Sequence, residues 1–133
     1  MIYLLDTNTC IRYLNPGDNP VRRMMESKRR EDIAVCSIVL CELYFGAYKS
    51  SRREANLSLL DIFFSQIQCL EFTLETARQY GLIRLELEQK GTPIGAYDLL
   101  IAAHALSWQA TLVTHNTREF ARVANLQLED WES

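Results

Sequence analysis

The sequence has no C-x-x-C pair, no long apolar run and no surplus of positive charge. Without closely spaced thiols, Cys10, Cys36, Cys41 and Cys69 form neither a zinc knuckle nor a disulfide frame; beside apolar neighbours they read as small buried side chains of a reduced protein. The opening apolar stretch stops at Leu5, before Asp6, with no basic segment ahead of it, so it reads as neither a signal peptide nor a membrane span. A cytoplasmic protein is expected. A net charge of -3 argues, taken alone, against non-specific binding of nucleic acid. The missing G-x-x-x-x-G-K-[ST], G-x-G-x-x-G and Ser-His-Asp patterns remove the signatures of P-loop, dinucleotide and serine-nucleophile chemistry.

What is present suits one domain over residues 1–133: hydrophobic residues make up 48% of the chain, and a chain of this size buries roughly 68% of its unfolded surface. Short β-branched or apolar runs at 2–5, 33–36, 69–72 and 111–114 read as strands, with a last edge strand at 127–128. Helical spacing covers 7–14, 20–30, 38–48, 52–67, 74–89 and 96–108, with a helical turn at 118–123. Asn15-Pro16-Gly17 stops the first of these helices, Asp18 or Asn19 caps the second, Pro20 sits in its first turn, and Ser37 and Thr73 are further caps. Strands alternating with helices imply an α/β fold: a three-layer sandwich with a short, mostly parallel central sheet flanked by helices. Ligands of such sheets lie beyond the carboxyl ends of the strands, near a topological switch point.

Asp6 directly follows the first strand, Glu42 lies about a turn into the helix after the second, Asp98 opens "AYDLLIAAHAL", and Asn116 follows "TLVT". A parallel sheet brings all four to one rim. Two unit charges 4 Å apart interact by roughly 4 kcal/mol at an effective dielectric of 20, so converging carboxylates need positive charge among them. No histidine or lysine is placed to supply it, and hard oxygen donors select Mg²⁺ or Mn²⁺ over zinc. Taken singly, Asp6 also suits a helix cap, Asp98 the positive end of its own helix, and Asn116 a cap or turn. Glu119 is a weaker candidate from the same loop. His104 and His115 have no reason in the order of elements to meet across one phosphate, and His104 reads as a packed or half-exposed side chain.

Nearly the whole chain resembles the PIN-domain family, and within it the VapC-type toxins of bacterial toxin–antitoxin pairs. The resemblance rests on "YLLDTNTCIRYL", "SIVLCELYFGA", "GTPIGAYDLLIAAHAL" and "TLVTHNTREFARVANLQLEDW". It implies a metal-dependent endoribonuclease, with Asp6, Glu42 and Asp98 at the family's three acidic positions as catalytic residues and ligands of Mg²⁺ or Mn²⁺. The fourth position, acidic in many members, is Asn116 here, and Thr7, Asn8, Ser37 and Thr114 match small polar residues that support the acids. The resemblance further implies an RNA substrate, with transfer RNA favoured, water as nucleophile, and products with 5′-phosphate and 3′-hydroxyl ends. It also implies a homodimer and a small antitoxin as partner.

Basic residues gather at Arg22, Arg23, Lys28, Arg29 and Arg30 and again at Lys49, Arg52 and Arg53, either as solvated helix faces or, with Arg12, as contacts to phosphates flanking the cut. Extra apolar residues at Leu57, Leu60, Ile62, Phe63 and Phe64 suit an interface or a thicker core. Two rival readings stay open. "DTNT" partly resembles the aspartyl-nucleophile loop of phosphatases, with Asn8 in place of the second aspartate, and a PIN-like fold without its metal is a non-catalytic module for binding RNA or protein.

Overall fold

In the computed structural model, which describes residues 1–132, β1 (Tyr3–Leu5) is the middle strand of a five-stranded sheet of order β3-β2-β1-β4-β5. The other strands are β2 (Ile33–Cys36), β3 (Gln68–Leu70), β4 (Thr111–Val113) and β5 (Leu128–Glu129), and every pairing is parallel. Parallel strands require crossovers, which the helices supply: α1 (Thr7–Leu14), α2 (Pro20–Ser27), α3 (Ser37–Lys49), α4 (Arg53–Phe64), α5 (Leu74–Gln89), α6 (Ala96–Ser107) and the short α7 (Thr117–Phe120). This is the expected α/β sandwich, with the sheet parallel throughout.

A strand covered on both faces cannot alternate apolar with polar, and β2 is buried at all four residues. Leu4, Leu5, Ile33, Val35, Leu112 and Val113 form the sheet's part of the core; Ile101, Ala102, Ala103 and Ala105 of α6 pack onto it, small residues letting that helix approach closely. Full burial of each large aliphatic side chain contributes roughly 1.5–3 kcal/mol.

The local signals hold at most junctions. Asn19 caps α2 by accepting the Arg22 N–H at 2.9 Å, and Pro20 is its first residue. Gly17 turns the chain at φ +97°, where a side chain would be strained. Thr73 and Thr76 form a reciprocal capping box at the start of α5, and Thr76 Oγ1 lies 2.9 Å from Ser107 Oγ on α6.

Other boundaries shift for identifiable reasons. α2 ends at Ser27, because Lys28 is extended and a 3-10 turn at Arg30–Asp32 delivers the chain to β2. β2 runs straight into α3, so Cys36 and not Ser37 takes the cap position. β3 occupies Gln68–Leu70, short of Phe72, because its partner β2 ends where Leu70 pairs with Cys36; the Glu71 carbonyl then accepts the Trp108 indole N–H at 2.9 Å. α4 accordingly stops at Phe64. Cys10 and Cys36 are buried as expected, but Cys41 lies on the outer face of α3 and Cys69 on the edge strand, both exposed. Leu60 and Phe63 join the core, whereas Ile62 is 59% exposed.

Thr76 is fully buried, and its hydroxyl accepts the Thr73 N–H at 3.1 Å as well as meeting Ser107. Thr76→Val keeps the shape and removes these bonds together with the 3.2 Å contact to Thr73 Oγ1, so urea unfolding should report a loss of about 1–3 kcal/mol.

Candidate active site

The strand order reverses direction between β1 and β4, so the crevice at their carboxyl ends is the topological switch point. Asp6 stands there. Its backbone N–H extends the sheet to Val113 O at 3.1 Å, and its side chain caps α1, Oδ1 accepting the Thr9 N–H at 2.9 Å. The cap and the rim carboxylate are therefore the same group, and it is buried. Thr9, also buried, donates its hydroxyl to Val113 O at 3.2 Å and pins α1 to β4.

Glu42 enters from α3, half-buried, and the Thr7 hydroxyl donates to its Oε1 at 2.7 Å. Asp98 comes from the first turn of α6. Burial pushes its carboxyl up to about 6, reinforced by Glu119, with which the protonated Asp98 shares a hydrogen bond, and by the charges of Asp6 and Glu42. The repulsion expected from converging acids is present.

Glu119 is a larger participant than its sequence position suggested. Its Oε1 accepts the Gly95 N–H at 3.3 Å and its Oε2 the Asn116 side-chain amide at 3.4 Å. Burial pushes its carboxyl up, but those two donors, the hydrogen bond from Asp98 and the nearby Arg122 outweigh it and hold Glu119 below the usual range. Asn116 thus serves Glu119, while its own N–H is held by the buried Thr114 hydroxyl at 3.0 Å. The three-residue spacing from Asn116 to Glu119 on a helical turn was the available signal. Asn8 lines the same cleft of about 490 Å³ as Asp6, Arg12, Asn15, His115 and Asn116; Ser37 lies in the first turn of α3, half-buried.

Among the described residues, no lysine, arginine or histidine is ion-paired with Asp6, Glu42 or Asp98. Nor are three or more His, Cys, Asp or Glu side chains drawn together there into a finished ligand shell. Crowded hard oxygens without an internal cation fit a Mg²⁺-like ion, which uses one or two carboxylates and keeps several waters, better than a zinc site. The cleft around Asp6 contains Arg12 but no lysine of the kind an aspartyl-phosphate site uses.

The histidines stay apart in role. His104 is fully buried, its Nδ1 2.9 Å from Leu100 O and its ring edge-on to Phe72. His115 is exposed and 3.0 Å from Asp130. The first basic cluster is committed internally: Arg22 and Arg30 stack on Tyr13, Lys28 on Tyr3, Arg23 pairs with Asp18 and Arg29 with Asp32. Arg12 pairs with Glu132 at 3.0 Å, and Arg53 donates to Tyr48 O at 2.9 Å. Arg52 has no side-chain partner among the described residues, and Lys49 has only the face of Phe45.

A parallel sheet with acids at its switch point is the architecture of a PIN domain, and the PIN-domain family model matches residues 3–126. Ribonuclease VapC2 of Rickettsia felis is 47% identical over 133 residues, covering 99% of both chains. The tRNA(fMet)-specific endonuclease VapC of Salmonella typhimurium is 40% identical over 129 residues, covering 97% of both. Among solved structures, VapBC2 of Rickettsia felis bound to a DNA fragment from its promoter aligns with a TM-score of 0.91 at 46% identity, covering 98% of this chain and 99% of that one. DNA-bound VapBC of Salmonella typhimurium aligns at 0.92 and 39%, covering 98% of each. The chain belongs to the PIN-domain family, in its VapC ribonuclease branch.

A raised carboxyl pKa makes the metal-free protein lose stability as pH climbs from the ordinary value of 3.8 to about 6, because over that window the native state holds a proton the unfolded chain releases. Asp98→Asn should flatten this slope. Above pH 6 it should also stabilise the metal-free protein by on the order of 1 kcal/mol once solvent screening is allowed for. Denaturant unfolding in chelator at about pH 5 and about pH 7.5 measures both effects.

Proposed function

We propose that this chain is the toxin of a toxin–antitoxin pair: a metal-dependent endoribonuclease, one PIN-like domain over residues 1–133, acting in the cytoplasm on RNA and silenced by a small antitoxin. The observation that carries the reading is the position of the buried Asp6 at the β1/β4 crevice, with Asp98 half-buried nearby and its carboxyl raised to about 6 by burial first and then by Glu119, Asp6 and Glu42. A binding module gains nothing from such a groove. The relatives support the substrate and partner: one is a tRNA(fMet)-specific endonuclease, and the aligned structures are VapBC complexes. Transfer RNA is the favoured target and a homodimer the favoured assembly. No helix of the described residues is long and apolar enough to cross a membrane.

Asp6, Glu42 and Asp98 would hold Mg²⁺ or Mn²⁺. The chemistry such an ion supplies when bound is activation of a water and neutralisation of charge on the phosphate. The chain's own part is preorganisation. Thr9 N–H fixes Asp6, Thr7 fixes Glu42, and Gly95 with Asn116 fixes Glu119, so the acids need little reordering when substrate arrives. With His104 buried and His115 held by Asp130, no paired histidines act on the ribose 2′-hydroxyl. Attack by water on phosphorus, with the bond to the 3′-oxygen breaking, leaves 5′-phosphate and 3′-hydroxyl ends.

Asp6→Ala and Asp98→Asn should each lower RNA cleavage at least about 100-fold and relieve growth arrest on expression. Chelator should abolish cleavage and added Mg²⁺ or Mn²⁺ restore it. End-mapped sequencing of cellular RNA after brief induction should find 5′-phosphate ends; 2′,3′-cyclic phosphates would overturn the water nucleophile. For the phosphate contacts, Lys49→Ala and Arg52→Ala should each weaken RNA binding and reduce the slope of log affinity against log salt by about 0.7. An unchanged slope would remove that residue from the contact set.

A further inference from the structure

The segment after β5 folds back beside Asp6, and Trp131 is its anchor. The Trp131 ring is buried against Tyr3, with 5.5 Å between centroids, and its indole N–H donates to Glu129 Oε1 at 2.9 Å. The acids on either side of Trp131 reach the two bases that line the cleft containing Asp6. Glu132 Oε1 accepts Arg12 Nε–H at 3.0 Å, and Asp130 Oδ2 lies 3.0 Å from His115 Nδ1 while its Oδ1 accepts the Glu132 N–H at 2.9 Å.

Both pairs show the same asymmetry. The acid is the sheltered member, with side-chain exposure of 15% for Glu132 and 21% for Asp130, and the base projects, at 59% for Arg12 and 66% for His115. Each acid also occupies only one edge of its base. Among the described residues, the terminal amines of Arg12 and Nε2 of His115 make no hydrogen bond. Exposed ion pairs add little to stability, so the effect of these two is orientation: otherwise mobile side chains are fixed with polar atoms unused on the lining of one cleft.

The chemistry of that lining selects an occupant. Apart from Ile11 it is polar, with Asn8 and Arg12 one turn apart on α1, and Asp6 is part of it, so a strand laid on the acids borders this cleft. A nucleic-acid backbone alternates anionic phosphates with sugars, which suits a guanidinium beside an imidazole and amides. A protein tail supplies a carboxylate for Arg12 but no regular hydroxyl next to it. Among sugars, only ribose carries a 2′-hydroxyl, which is both donor and acceptor and so pairs with Nε2 wherever the ring proton lies.

We propose that this cleft is a ribose–phosphate subsite: His115 Nε2 pairs with the 2′-hydroxyl of a nucleotide flanking the cut, and Arg12 meets the phosphate next to it. The inference rests on the ribonuclease reading above and deepens it, because here the chain reads the sugar and not the base. Arg12 and His115 are binding residues; Glu132 and Asp130 are positioning residues that act through them.

The test uses the full chain and a short RNA hairpin cut in its loop, together with copies carrying a single 2′-deoxy sugar at each position flanking the cut. One of these substitutions should raise KM roughly two- to tenfold, the worth of one neutral hydrogen bond, with a smaller change in kcat. His115→Ala should raise KM as much and make that deoxy copy no worse than the all-ribose hairpin, and His115→Gln, which keeps a polar tip, should restore part of the loss. Arg12→Ala should weaken binding of both hairpins alike and reduce the slope of log affinity against log salt by about 0.7, measured in the slow-cutting Asp98→Asn chain. Asp130→Asn should raise KM only while His115 is present, and Glu132→Gln only while Arg12 is, a dependence that a merely structural role does not produce. Arg12 and His115 are exposed, so their variants should melt like the parent. Deoxy sugars that leave KM unchanged at every flanking position, or a deoxy penalty undiminished in His115→Ala, would overturn the subsite alone. Loss of antitoxin affinity with RNA kinetics intact would give the cleft to the protein partner and overturn it equally. A native chain that cuts no RNA would remove the ribonuclease reading and the subsite together.

Discussion

Like charges gathered in one crevice set the terms for the rest of this molecule. Asp98 reaches a carboxyl pKa of about 6 through burial and the proximity of Glu119, Asp6 and Glu42, so the protein keeps a cluster of acids that repel one another. The fold withstands this because the acids belong to separate rigid elements. Asp6 is fixed at the end of the central strand, Glu42 and Asp98 on helices packed against the core, and Glu119 on a short helix clamped by Gly95 and Asn116. A divalent cation held there would relieve the repulsion the scaffold has assembled.

Charge is also distributed unequally outside the crevice. A chain of net charge -3 must attract a polyanion with few available cations, and most of the N-terminal arginines are used to brace Tyr13 and the turn before β2. Arg52, which lines a cleft with Glu42, and Lys49, which lies over the Phe45 ring, have no acidic partner among the described residues.

Much of this was legible in the chain. The place of Asp6 at the end of the first strand was readable because it directly follows an apolar run, and the caps at Asn19 and Thr73 follow from local hydrogen bonding. What escaped depended on pairing over long distances. The span of β3 is fixed by where β2 ends, which no window around Cys69 contains. The exposure of Cys41 and Cys69 depends on which face of α3 and which edge of the sheet remain uncovered. Glu119 was undervalued because its partners, Gly95 and Asp98, lie more than twenty positions away. The basic cluster from Arg22 to Arg30 gave no hint that its rings and acids lay within reach. Asp98 shows the opposite case: its place in the crevice was readable, but its shared proton was not.

The central strand is made of residues 3–5, and its neighbour on one side of residues 111–113. Asp6 therefore leaves the ribosome long before Val113, and the β1–β4 crevice cannot close until β4 has emerged. Until then α1 lacks the Val113 carbonyl to which Thr9 bonds, and the acids have no common frame. Pairings of such sequence separation carry a loop-closure cost and slow folding. A nascent chain that lacks β4 therefore carries Asp6 without the crevice that gathers the acids around it.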